Sequence, residues 1–366
     1  MNNLEVAIMK RYANRRNLDK IVQVAPEAKI TLFDLRKRHL ILFLIREVLR
    51  HILPYTVYKF FPEKLDELCE KQKLLWIHSP ANSADIKTVL LFPPNVEHNV
   101  AEELQSRLNP SWIHSIATGI DRLPSIPKST LVTSSRGLHS GRIAEFVMGL
   151  IFALAKNLPE HINLNRKRVW KALPSKMIRG AKIGIVGLGR IGTEIAKIGK
   201  ACGMEVWATK RKLSTVEFVD CLLPSEELPY MLREVDYVVL AIPLTKDTYH
   251  LIGKAEFDIM KSTACLINIC RGAVVDEDFL YDALKNKRIK AACIDVFKNE
   301  KPLPKNSRFY KLQNMLITSW SAWKSADSAE QQMDLFFNNL KRFVSDKPLL
   351  SLADKSQIPH IKENRI

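Results

Sequence analysis

The stretch AKIGIVGLGRIGTEIAKIGKACG, residues 181–203, limits the fold more than any other part of the chain. An apolar run of strand character, Ile183 to Val186, meets glycines at 187, 189 and 192, and helical periodicity begins at once. In a strand–turn–helix of this spacing the first glycine permits the tight turn and the second lets the backbone come close to a pyrophosphate. The third lets helix and strand pack together. The helix N-terminus then offers its partial positive charge to a phosphate. A bare GxGxxG is weak by itself, but here a strand precedes it, a helix follows, and a second apolar strand, MEVWAT, starts about twenty residues on. Gly187, Gly189, Arg190, Ile191 and Gly192 are therefore the candidate phosphate-contacting residues, and an α/β fold with a doubly wound parallel sheet is expected.

The alternation continues through VDYVVLAIPL, ACLINICRG, AACIDVF and NMLITSW, which brings this sheet to six expected strands. Upstream, KTVLLFPP, SWIHSIATG and STLVTSSRG mark a second parallel sheet. A chain of 366 residues exceeds what one hydrophobic core usually serves, so two domains are expected. Between the sheets, residues 141–170 read as one long amphipathic helix, apolar nearly all round in its middle and buried against something large.

The end of the second strand speaks to which nucleotide is held. Where an NAD site places an acidic residue for the ribose 2′-hydroxyl, this chain has Thr209, Lys210, Arg211 and Lys212. Cations and a hydroxyl attract a 2′-phosphate, so NADP is favoured, with NAD as the alternative. The formal charge of +17 permits anionic partners, but no nucleic-acid-binding motif is present and the basic residues are spread along the chain. Six cysteines without CxxC spacing read as free thiols of a reducing compartment, no metal site is expected, and the first twenty residues lack a signal-peptide core. Cytoplasm is the expected location. Residues 35–61 carry a basic amphipathic helical pattern, with Ile41, Leu44, Ile45, Val48, Leu49 and Ile52 on one side. Packing within the fold is the favoured reading of this segment, and lying on an anionic membrane surface is the alternative.

The pieces GIVGLGRIG, AIPLTKDTYHLI, MKSTACLINICRGAVVDEDFLYDAL, IKAACIDVF and NMLITSWSAW follow one another in an order that resembles the D-isomer-specific 2-hydroxyacid dehydrogenases. Upstream, IATGID and SSRGLHSGRIAEFVMGL resemble that family's substrate loop and domain-linking helix, so the likeness covers residues 86–345. The resemblance implies two Rossmann-like domains, with a substrate domain built from both chain ends, here 1–134 and 323–352. The NAD(P)-binding domain would be 135–322, with 353–366 as a tail. It also implies hydride transfer between a nicotinamide and a small 2-keto or 2-hydroxy acid, and a homodimer. Arg271 falls where the family binds the substrate carboxylate, and Asp295 where it contacts the nicotinamide carboxamide. Glu300 falls at the partner of the catalytic histidine, and Gly119 and Ile120 in the carboxylate-binding loop.

Two departures accompany the likeness. The family's Glu-Pro reads EKPLP, with Lys301 inserted after Glu300, and its Thr-Pro-His reads Thr318-Ser319-Trp320. Trp320 thus occupies the place of the histidine that gives the carbonyl oxygen its proton. An indole N–H donates a hydrogen bond but does not titrate near neutral pH. His114 and His139 lie in segments expected near the cleft and are the substitutes to weigh. The expected activity is an NADPH-favouring oxidoreductase with impaired or altered proton transfer. The alternative is a dinucleotide-binding regulatory or scaffold protein that has lost its chemistry, with Trp320 as packing.

Overall fold

The computed structural model describes residues 4–9, 15–25, 29–33, 43–45, 87–92, 110–120, 123, 126–127, 129–213, 216–298 and 303–353. The chain divides into two compact units, residues 1–138 with 327–366 and residues 139–326.

The first unit holds β1 (Leu4–Met9), α1 (Arg15–Val24), β2 (Lys29–Phe33), β3 (Phe43–Ile45), β4 (Lys87–Phe92), β5 (Trp112–Ser115) and β6 (Leu131–Ser134). Its sheet runs β3-β2-β1-β4-β5-β6, parallel except for β3, which lies antiparallel at the edge against β2. The amphipathic helix expected over residues 35–61 is corrected here, because Phe43–Ile45 are extended and pair with Leu32, Thr31 and Ile30. Three consecutive apolar residues carry no periodicity that separates helix from strand, and an open sheet edge decides in favour of pairing. The rest of that segment lies outside the described residues.

All four residues of β5 are buried, as both-face coverage of a parallel sheet requires. Trp112 Nε1 donates to Thr133 Oγ1 at 2.9 Å, and Thr133 Oγ1 lies 2.7 Å from His114 Nδ1. Burial lowers the His114 pKa from its ordinary 6.5 to about 3. A folded-state pKa below the unfolded one means that stability is present above pH 6.5 and is lost as pH falls toward 3. We expect the wild type to lose about 1.4 kcal/mol per pH unit from this one group across that window. In His114→Leu the slope of urea stability between pH 6.5 and 4 should be shallower by that amount. Parallel slopes would contradict the assignment.

The second unit holds α2 (Ser140–Ala155), α3 (Leu158–Arg166), β7 (Lys182–Val186), α4 (Arg190–Ala201), β8 (Glu205–Thr209), β9 (Cys221–Leu223) and α5 (Leu228–Glu234). There follow β10 (Tyr237–Leu240), α6 (Lys254–Ile259), β11 (Cys265–Asn268), α7 (Glu277–Lys285), β12 (Ala291–Ile294) and β13 (Met315–Ile317). Seven parallel strands run β13-β12-β11-β10-β7-β8-β9, one more than expected from the sequence, with β9 as the addition at the edge. Strand order reverses between β7 and β10, and ligands of such sheets bind beyond the carboxyl ends of the strands at that point.

The single helix expected over 141–170 is two. Lys156 ends α2, Asn157 turns left-handed at φ 52°, and Pro159 sits in the first turn of α3. Proline lacks the N–H that would bond to the preceding turn, so the helix restarts there. Ile143, Val147, Ile151 and Leu154 of α2 are buried, whereas α3 buries none of its residues. The chain then closes the first unit with α8 (Ser328–Val344), whose Phe336 stacks on Trp112 at 5.7 Å between ring centroids. Among the described residues no helix is long and apolar enough to cross a membrane.

Candidate functional site

The glycine turn follows β7 directly at the strand-order reversal. Gly187 has φ +95°, and a Cβ there would lie 2.2 Å from Ile242 Cγ2 and 2.9 Å from the Ala241 carbonyl oxygen, at the end of β10. At Gly192 a Cβ would fall 2.3 Å from the Gly187 carbonyl oxygen, so α4 reaches this close only without a side chain. Gly189 differs, since a Cβ there would meet no heavy atom of the protein within 4 Å. The space over Gly189, at the N-terminus of α4, is open toward solvent, with Gly189 and Arg190 exposed and Ile191 half-buried. That geometry fits the pyrophosphate of a dinucleotide, whose approach a side chain at this position would obstruct.

The loop after β8 begins at the same turn, because Leu188 N–H donates to the Thr209 carbonyl at 3.2 Å. Thr209 is buried and Lys210 half-buried, while Arg211 and Lys212 are exposed. The exposed part of the basic set is thus Arg211 with Lys212.

Three further strands end on the same carboxyl edge. Three residues beyond β11, Arg271 is extended and half-buried, with Nη1 donating to the Cys270 carbonyl at 2.9 Å. Asn268 fixes this turn, since its Nδ2 donates to the Arg271 carbonyl at 3.0 Å and its Oδ1 accepts from Cys270 N–H at 3.1 Å. Gly272 admits the backbone of the next strand's exit, because a Cβ would lie 2.0 Å from the Phe297 carbonyl carbon. The roles of Asn268 and Gly272 were not read from the sequence, although an Asn just past a strand is the residue type that closes a turn on its own backbone. Cys270 sits beside Arg271 with its pKa raised to about 11 by burial, and so remains a thiol.

Asp295, directly after β12, is buried and holds the loop that follows β13. Its Oδ1 accepts from Thr318 Oγ1 and from Ser321 N–H, each at 2.7 Å, and its Oδ2 accepts from Ala322 N–H at 3.2 Å. The Asp295 carbonyl takes the Trp320 N–H at 2.7 Å. Those bonds restrain two adjacent left-handed residues, Ser319 at φ 52° and Trp320 at φ 57°. Left-handed backbone costs a non-glycine residue of order 1–2 kcal/mol, so the anchor must outweigh a strained turn. Asp295→Ala is expected to lower stability by about 3 kcal/mol in urea unfolding. A loss below about 1 kcal/mol would remove Asp295 as the anchor.

Trp320 is half-buried, and its ring meets Trp323 edge-on at 6.1 Å between centroids. Trp323 in turn lies 5.8 Å from the His139 ring. Trp320 thus packs against Trp323 while standing on a left-handed turn with part of its surface exposed. Neither substitute histidine stands free in this region. His114 belongs to the core of the first unit and is held neutral, and His139 is 3% exposed with Arg142 Nη1 donating to its Nδ1 at 3.0 Å. Gly119 and Ile120 follow β5 in the first unit, half-buried and buried respectively. Glu300 and Lys301 lie outside the described residues.

The chain is similar to known proteins. The model of the D-isomer specific 2-hydroxyacid dehydrogenase NAD binding domain matches residues 148–322. A glyoxylate reductase of Thermofilum pendens is 33% identical over 273 residues, 70% of this chain and 78% of the relative. The chain belongs to the D-isomer-specific 2-hydroxyacid dehydrogenase family. Within it, a glyoxylate reductase of Pyrococcus horikoshii is 35% identical over 245 residues, covering 63% of this chain and 72% of the relative. Among solved structures, an NADPH-dependent glyoxylate/hydroxypyruvate reductase from Sinorhizobium meliloti, in complex with NADP and sulfate, is similar in fold. It superposes with a TM-score of 0.71 at 20% identity, over 97% of this chain and 99% of that one. A family member from Aeromonas salmonicida gives the same TM-score at 24% identity, over 97% and 99%.

Proposed function

We propose that the protein is an NADPH-preferring reductase of small 2-keto acids whose proton delivery is impaired, because an indole stands at the position of the acid. The observation that carries this reading is Trp320 at the exit of β13, in line with Arg271 and Asp295 at the exits of the two adjacent strands. Residues 187–192 would hold the pyrophosphate and Arg211 with Lys212 the 2′-phosphate. The nicotinamide, when bound, supplies the hydride.

The Arg271 guanidinium offers a planar fork that suits a carboxylate next to a carbonyl. Gly119 and Ile120 are the candidates in the first unit for backbone N–H donors to a substrate carboxylate. Trp320 can polarise the carbonyl by donating its Nε1–H but has no proton to release, and a missing acid costs roughly 10²–10⁴-fold. A histidine partner at Glu300 has nothing to orient when the histidine is absent. A member that binds dinucleotide without turnover is the second reading, favoured by the same Trp320.

The cofactor preference has its own test. Arg211→Ala is expected to raise the NADPH dissociation constant about tenfold and leave that for NADH nearly unchanged. Equal weakening of both would contradict a 2′-phosphate contact. Partners follow from the family and the surface. Phe152, Leu158, Ile162, Val169 and Trp170 are exposed along α2, α3 and the segment after them, with Trp170 entirely so. We infer that a second copy covers this apolar row, since exposed aromatic clusters mark interfaces. Free thiols at five described cysteines suit a reducing compartment such as the cytoplasm.

A further inference from the structure

At the opposite edge of the nucleotide-binding sheet, where β7, β10 and β11 begin, lies a recess of about 340 Å³. Lys176, Arg179 and Lys290 line it together with Tyr237, Thr263 and Asp236. Among the described residues, those three cations form no ion pair. The one acid in the wall is already engaged, because Asp236 Oδ1 pairs with Lys261 Nζ at 3.1 Å and its Oδ2 accepts from Lys182 N–H at 2.9 Å.

Tyr237 adds an independent observation. It is 4% exposed and lines the recess, yet its hydroxyl makes no hydrogen bond to any described residue. A hydroxyl in the wall of the recess with no described protein partner can donate to a molecule bound there. Burial raises its pKa to about 12, which keeps it a donor throughout the physiological range.

Apart from the engaged Asp236, the polar side chains named are donors or can act as donors. What fits is a ligand rich in acceptors, with more than one negative charge and small enough for the recess. We propose that this recess is a binding site for the phosphate group of a small phosphorylated molecule, with Arg179 as the fork, Lys176 and Lys290 as point charges, and Tyr237 as the buried donor. A parallel strand rises about 3.3 Å per residue, so the length of β7 puts roughly 16 Å between this recess and the glycine turn. An anion held here is therefore not on the dinucleotide's phosphate site, and the proposal stands whether or not the protein turns over keto acids.

The test is calorimetric titration of the full chain with inorganic pyrophosphate at low ionic strength. It is run on the wild type and Gly189→Asp, and on Tyr237→Phe, Arg179→Ala and the triple variant Lys176→Ala/Arg179→Ala/Lys290→Ala, each of these carrying Gly189→Asp as well. Gly189→Asp puts a carboxylate where the glycine turn would meet phosphate and so silences that site. The expected result is one saturable site that survives in Gly189→Asp, weakens about threefold in Tyr237→Phe and about tenfold in Arg179→Ala, and is lost in the triple variant. Thermal melting of each variant separates lost binding from lost fold. The proposal is overturned if binding disappears in Gly189→Asp, if it persists in a folded triple variant, or if no saturable heat is seen in the Gly189→Asp protein.

Discussion

Gly272→Ala is expected to cost more stability than any other single methyl added to the chain, about 4 kcal/mol or more. The new Cβ would stand 2.0 Å from the Phe297 carbonyl carbon, 2.2 Å from Lys298 N and 2.5 Å from the Phe297 carbonyl oxygen. All three are backbone atoms, so no side chain can rotate away. Gly272 and Phe297 are buried, and the exit of β12 would have to move by more than an ångström. Close-packed interiors transmit such a shift rather than absorb it. The moved segment runs on from Asp295, which anchors the loop bearing Trp320, so the damage extends to the site. Urea unfolding of the second unit reads the effect, and a midpoint within experimental scatter of the wild type would contradict the close approach. Gly189→Ala is the matched control, because its Cβ meets nothing within 4 Å.

Much of the second unit was legible in the sequence, because parallel strands covered on both faces are written as unbroken apolar runs. Ile183 to Val186 and Cys265 to Asn268 are of this kind, and each is buried along most of its length. The helix break at Asn157 was missed because apolar periodicity runs across it, and Pro159 was read as part of one helix. Strand β9 escaped notice because its three residues, Cys221–Leu223, are half-buried and too short to show a pattern. In the first unit, β1 and β2 come from a part of the sequence that resembles no family motif. One of their pairings also reaches far along the chain, that of β1 with β4.

The site was legible where a residue type has one physical use. A glycine that must face a carbonyl, as at 192, or a left-handed turn, as at 187, leaves a readable mark. Arg271 is assigned only through the family likeness, and the way Asn268 and Gly272 hold its turn depends on local backbone contacts that spacing does not encode. Asp295 was read as a cofactor contact, and the structure adds its hold on residues 318 to 322. The left-handed conformation of Ser319 and Trp320 has no sequence signal at all, because neither residue type favours it.

The account turns on Trp320. Its N–H is bonded to the Asp295 carbonyl and its turn is held by the Asp295 carboxylate, so a substitution at 320 keeps the loop in place. A histidine there inherits the position and brings a nitrogen that titrates near neutral pH. The decisive measurement is NADPH oxidation with glyoxylate, hydroxypyruvate and pyruvate by the wild type and Trp320→His side by side, with NADPH affinity checked in both. The prediction is slow or undetectable wild-type turnover, a gain of roughly 10²-fold or more in kcat for Trp320→His, and unchanged NADPH binding. Brisk wild-type turnover that Trp320→His leaves unchanged or lowers would contradict it, and would mean that the proton comes from a group other than the one at position 320.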